Sequence, residues 1–222
     1  MMTKRGLVLA SVVLVAAMVA SAWWVADRLP PDAMLPIHWN ARGEPNNFAG
    51  KWSALMLPAM LTTGTSLLLA ALGRIQPMRD NFEKSQGLYF IVWIGTLGMF
   101  ALIHLMVLDA ALHWHLPASR LFVGALGLFF GAIGNQLGKS RPMFFIGIRT
   151  PWTLTNEDVW IATHRLGGKL MVLAGTAWLI AAIADWTGPR AMPILTATLL
   201  AACLVPAAYS YFHWRRLQRG HN

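Results

Sequence analysis

Six apolar runs alternate with short polar segments along this chain. They cover residues 6–26, 53–73, 87–108, 120–137, 170–185 and 191–212, the fifth with a possible start as early as Thr163. A helix needs roughly 20 apolar residues to cross a bilayer, and a run of that length is no strand. The pattern therefore predicts an all-α integral membrane protein with six transmembrane helices. Pro58 inside the second run predicts a kink or local water contact, and Pro206 lies inside the sixth. Ala20-Ser21-Ala22 has the form of a signal-peptidase site, but the apolar run continues to Ala26. That is long for a signal sequence, so an uncleaved first helix is expected. In the fourth run Gly124, Gly127, Gly131 and Gly134 fall on one helical face. Their expected use is close packing within the bundle, in preference to homodimerisation.

Two polar segments stand out. Residues 27–52 are dense in turn formers, among them Pro30, Pro31, Pro36, Gly43 and Pro45, and predict a compact ordered loop with little helix. Residues 134–168 are longer than a connection between helices requires and rich in Arg, Trp, Pro and Gly. Within them, Thr155-Asn156-Glu157-Asp158 sets an N-cap candidate ahead of carboxylates. A helix is expected to start near Asn156 and to carry Trp160 and His164 on one face. Phe144, Phe145, Ile146 and Ile148 are suited to dip into the interface while Arg141 and Arg149 stay at headgroup level.

Composition agrees with this class. The chain is 56% hydrophobic and 12% charged, about half the charged fraction of a soluble domain. Its net charge of +9 sits in short loops and forms no continuous basic face, so direct nucleic-acid binding is excluded. Cys203 is the single cysteine, which rules out an internal disulfide and a thiolate metal site. With both termini cytoplasmic, 13 of the 18 Lys and Arg face inward, and Arg28, Arg42, Lys51, Arg120 and Arg190 face out. The positive-inside rule favours that orientation. It puts residues 134–168 in the cytoplasm and residues 27–52 outside.

Catalytic signatures are absent: the chain holds no H-E-x-x-H, C-x-x-C, P-loop or G-x-S-x-G. No Asp, Glu, Lys or Arg falls near the middle of a run, which argues against an ion-coupled carrier. His104, Asp109, His113 and His115 form a weak metal-site candidate, and solvated or interfacial histidines are the preferred reading. No metal or other cofactor is expected, and no enzyme. Arg141 and Arg149 have three open uses: lipid phosphates, pairing with Glu157 and Asp158, or an acidic partner protein.

The residues of the second polar segment match a known pattern. Gly134-Asn135, Gly138-Lys139 and Arg141-Pro142 come first. Then FIGIRTPWTLTNEDVW supplies Gly147, Arg149, Thr150, Pro151, Trp152 and Trp160, and Thr163-His164-Arg165 follows. Together they resemble the SdpI family of membrane immunity proteins. The outer loop LPIHWNARGEPNN, with Pro36, His38, Trp39, Asn40, Gly43 and Pro45, looks like the short domain of unknown function that precedes the SdpI region in many members. The resemblance implies a multi-pass protein of the bacterial cytoplasmic membrane that protects against a secreted toxic peptide. It also implies recruitment of a small cytoplasmic winged-helix repressor, with the motif residues and outer loop meeting partners. Two departures are visible: Met143 stands where members often have Asn, and Asn46 where an acidic residue is common. The expected organisation is a helix pair with outer loop (1–73), middle helices (74–133) and an SdpI-like region (134–222). The competing function is a membrane enzyme or carrier for a lipid or small amphiphile. There Arg141, Arg149, Arg165 and His164 would bind phosphate or transfer protons.

Overall fold

The computed structural model describes residues 3–40 and 43–219. Ala41 and Arg42 of the outer loop, Met1 and Met2 of the basic start, and residues 220–222 lie outside the described residues. The helices are α1 (Lys4–Ala26), α2 (Lys51–Ile75), α3 (Arg79–Lys84), α4 (Gln86–Leu112), α5 (Ala118–Leu137), α6 (Pro151–Thr155), α7 (Glu157–Ile183) and α8 (Ala191–Arg219). All except α3 and α6 are apolar helices of 20 to 29 residues. Even the shortest spans about 30 Å, the thickness of a bilayer core. Large apolar side chains such as Leu9, Met60, Leu67, Leu173 and Phe212 point outward from these helices. Such a surface is stable only where the solvent is itself apolar. The protein is a multi-pass membrane protein with six spanning helices.

Three local details refine the hydropathy pattern. The connector after α2 contains a helix, α3, with Asp80 in its first turn and Lys84 in its last, as the helix dipole favours. α2 runs without interruption through Pro58. The fifth span is the C-terminal part of one continuous helix, α7, that starts at Glu157. Gly167 and Gly168 do not break it, because both are packed closely against neighbouring atoms.

The chain divides into two compact units. Unit one comprises Met1–Ala71, Trp93–Ala125 and Ala181–Met192. Ala22, Val25, Leu35, Leu55, Val107 and Leu108 belong to its core. α1 begins at Thr3, whose hydroxyl accepts the N–H of Gly6. Its far end is closed by Lys51, whose ammonium donates to the carbonyls of Ala26 (2.9 Å) and Leu29 (2.7 Å). A cation there satisfies carbonyls that the helix leaves unpaired. Exposed Trp23, Trp24, Trp52, Trp114 and Trp186 all lie at or near the ends of long helices in this unit, as a belt at a lipid–water boundary requires.

Between α1 and α2 the outer loop is ordered, as expected, but it is a β-hairpin, which the turn formers alone did not predict. β1 (Met34–Trp39) pairs antiparallel with β2 (Pro45–Gly50). Leu35 anchors the strand in the core. Asn40 closes the turn: its side-chain oxygen accepts the N–H of Glu44, and its backbone N–H donates to the Glu44 carbonyl.

Unit two comprises Leu72–Val92, Leu126–Ile180 and Pro193–Asn222. Here the glycine face of α5 meets α7 backbone to backbone. A Cβ on Gly134 would stand 2.7 Å from the Gly168 carbonyl, and one on Gly127 would stand 2.8 Å from that of Gly175. The small residues serve packing within the chain, as expected.

Candidate functional site

The motif segment in unit two leaves α5 after Leu137 and is tied down at once. The N–H of Arg141 donates to the Ser85 hydroxyl at 2.8 Å, and that of Phe144 to the Gln76 side chain at 3.2 Å. Ser85 and Gln76 are both buried in the connector between α2 and α4. Pro142 and Met143 are buried between these two bonds. Met143 thus occupies a core position, which suits its apolar side chain.

The segment then turns at Gly147, with φ +125°, a conformation that side chains disfavour. A Cβ there would stand 2.6 Å from Nε2 of His164 and 2.7 Å from the Trp160 ring. Glycine therefore lets the backbone approach His164 directly. The N–H of Ile148 donates to His164 Nε2 at 2.9 Å. On the other side of the ring, Nδ1 donates to the Trp160 carbonyl at 2.8 Å. The two bonds define a neutral imidazole with its proton on Nδ1. Trp160 stacks on that ring at 3.8 Å, and its indole N–H donates to the Ser140 carbonyl at 3.2 Å. Trp160 and His164 share one face, as their spacing predicts.

Beyond Arg149, Thr150 caps α6. Its hydroxyl accepts the N–H of Thr153, and the Thr153 hydroxyl accepts that of Thr150, with Pro151 opening the helix. The Thr150 hydroxyl also meets that of Ser210 on α8 at 3.0 Å. Trp152 rests against Tyr211 and Trp214. Asn156 then caps α7, accepting the N–H of Val159 at 3.0 Å, so the helix starts where the sequence indicates.

Burial separates the motif residues into two sets. Trp160, Thr163 and His164 are 0% exposed. They are not the surface residues that a partner-binding role implies, and the Thr163 hydroxyl has no hydrogen-bond partner among the described residues. With both nitrogens bonded and no surface, His164 is also not poised as an acid or base. Asn135, Lys139, Arg149 and Arg165 are exposed, and Arg141 is partly so. Arg149 donates to the Phe144 carbonyl at 2.9 Å, closing the turn that contains Gly147. Arg141 approaches Glu157 at 4.0 Å with both side chains well exposed, a pairing worth little in solvent. The motif thus presents four cationic side chains around a rigid, neutral core. The bonds from Gln76 and Ser85 are supports that the sequence did not reveal; polar residues in a connector carry no mark of what they touch.

The outer-loop residues gather in unit one. Pro36 is buried, Trp39 half-buried, and His38 exposed. His38 Nδ1 donates to the Asn46 side-chain oxygen across the hairpin at 2.6 Å, which gives the second departure, Asn46, a structural role. Gly43 lies in the turn at φ +75°, and Pro45 stands opposite Trp39. The metal candidates do not assemble among the described residues. His104 instead meets the Ser21 hydroxyl at 2.9 Å, and Asp109 accepts the N–H of Leu116.

Comparison with known proteins falls on both regions. Residues 139–210 match the SdpI/YfhL protein family, and residues 12–62 match the domain of unknown function DUF1648. The chain is 27% identical over 135 residues to the immunity protein SdpI of Bacillus subtilis, covering 61% of this chain and 64% of that one. It is 36% identical over 88 residues to the lipid II flippase MurJ of Burkholderia cenocepacia, covering 39% of this chain and 16% of that one. The chain thus spans less than two thirds of either relative. No solved structure matches it.

Proposed function

We propose, from the match of residues 139–210 to the SdpI/YfhL protein family, that this chain is an immunity protein of the bacterial cytoplasmic membrane. Both termini are cytoplasmic, the hairpin faces outward and meets a secreted toxic peptide, and the motif faces inward. There Lys139, Arg141, Arg149 and Arg165 offer a cationic surface to an acidic partner such as a small repressor. One observation carries this reading in preference to catalysis. The histidine of the motif spends both nitrogens on holding its own loop, while the arginines remain at the surface. That is a recognition surface on a rigid frame and not an acid–base site. The test is survival. Toxin-sensitive cells expressing the full chain are grown in supernatant from a peptide-toxin-secreting strain, and they should outlive cells with an empty vector. Equal death in both cultures would refute the reading.

The similarity to a lipid II flippase supports a second reading, in which the same arginines hold an anionic lipid headgroup. Purified protein in vesicles that moves labelled lipid between leaflets, with no effect on survival, would favour it.

A further inference from the structure

The spanning helices α1 and α2 leave a groove between them within unit one, enclosing about 560 Å³. On α1 its lining runs from Val8 through Val12 and Val19 to Ala20, and on α2 from Ala70 back to Thr63. The polar groups of its wall are already committed. The Ser11 hydroxyl donates to the Leu7 carbonyl and accepts the indole N–H of Trp93, and the Thr63 hydroxyl donates to the Ala59 carbonyl. The Ser66 hydroxyl is covered. The groove thus offers hydrocarbon and no hydrogen bond, which disfavours a polar occupant.

Its length is that of one leaflet. Val8 to Ala20 measures about 18 Å along a helix, against about 15 Å for half of a bilayer's hydrocarbon core. On α2 the lining stops at Thr63, the middle residue of Lys51–Ile75. A partner helix that crosses the membrane needs a face about twice as long. At its end near the N-terminus the groove meets positive charge. The lining residues of α1 recur every three or four positions, and one turn before Val8 the same stripe carries Lys4 and Arg5, both exposed. A second copy inserted the same way up and joined through this groove would set Lys4 and Arg5 against their own counterparts, which like charge disfavours.

We propose that the groove holds one acyl chain of an anionic phospholipid from the leaflet next to the N-terminus, with the lipid phosphate at Lys4 and Arg5. Hydrocarbon in the groove restores the contacts that a void between α1 and α2 forfeits. Two cations at headgroup depth favour an anionic head over a zwitterionic one. The site is separate from the motif arginines and stands whether or not the chain confers immunity.

The test uses the full chain in detergent micelles doped with a phosphatidylglycerol that carries a photoreactive diazirine in one acyl chain. After illumination, mass spectrometry locates the attachment. It should concentrate on residues 8–20 and 63–70, and excess unlabelled phosphatidylglycerol should displace it. Phosphatidylcholine with the same chains should need at least about tenfold more lipid to do so. Lys4→Gln combined with Arg5→Gln should remove most of that difference. Ala16 and Ala17 are adjacent and both exposed, but only Ala16 lines the groove. Ala16→Phe should abolish attachment there, and Ala17→Phe should leave it unchanged. The competition is read on the unaltered chain, so it decides the proposal even where a variant fails to fold. Attachment spread evenly over outward positions such as Leu9 and Ala17, or undisplaced by excess lipid, overturns the proposal. So does equal displacement by the two lipids, or full attachment in Ala16→Phe. A second copy is checked with Ala16→Cys in a Cys203→Ser background. A disulfide-linked dimer formed in native membranes would put that copy in the groove and overturn the lipid as its occupant.

Discussion

Ile148 donates its backbone N–H to Nε2 of His164 across 2.9 Å and 16 positions of sequence. That bond joins the motif loop to α7 and gives His164 a structural task. Replacing His164 with Phe should strand the Ile148 N–H, at a cost of about 1–3 kcal/mol. Gln, which can offer an acceptor near the position of Nε2, should recover part of the loss. Thermal unfolding in detergent reads the order wild type, Gln, Phe. Identical midpoints for wild type and His164→Phe would show that the bond contributes nothing.

Gly147 and Gly98 make a matched pair. Gly147→Ala puts a methyl group within 2.6 Å of His164 Nε2 at φ +125°, whereas nothing lies within 4 Å of a Cβ at Gly98. The first change should destabilise the protein by more than about 1–3 kcal/mol, since strain and overlap combine. Gly98→Ala, inside α4, should be neutral or stabilising by up to about 1 kcal/mol. Paired unfolding midpoints check the contrast, and a tolerated Gly147→Ala would contradict the packing described.

Arg149 and Arg165 distinguish charge from shape. The positive-inside rule counts charge alone, so Lys at either position should insert normally. Lys cannot reproduce the two parallel bonds with which a planar guanidinium fork grips a carboxylate or phosphate. Breaking such a grip should cost about 1–3 kcal/mol, or roughly ten- to a hundredfold in affinity. Arg149→Lys and Arg165→Lys should therefore reach wild-type membrane levels on an immunoblot and fail in the survival assay. Arg149 also closes the Phe144 turn, so Arg165→Lys is the cleaner probe. Full survival with both variants would leave the stretch a topogenic loop.

Orientation is open to a direct measurement. Reporter fusions after Gln86 and after Arg219 should read as cytoplasmic, and one at Gly43 as external. An external signal after Arg219 would reverse the assignment of the motif and hairpin to their sides of the membrane.

Hydropathy and local spacing alone determined the six spans, the Asn156 cap at the start of α7, the shared face of Trp160 and His164, and the glycine face of α5. Each depends on residues within one segment, where water–lipid transfer and helical periodicity act additively. What those rules left open was how the polar stretches are satisfied. A buried donor takes its partner from solvent, a neighbouring turn or a distant helix, and composition does not distinguish these. Only the tertiary structure decided that Gln76 and Ser85 hold the motif loop, that Thr163 and His164 are core, and that residues 34–39 and 45–50 pair as strands. Those outcomes depend on bringing distant segments together, and the glycines at 134, 147 and 168 permit it by admitting backbone where any side chain would collide.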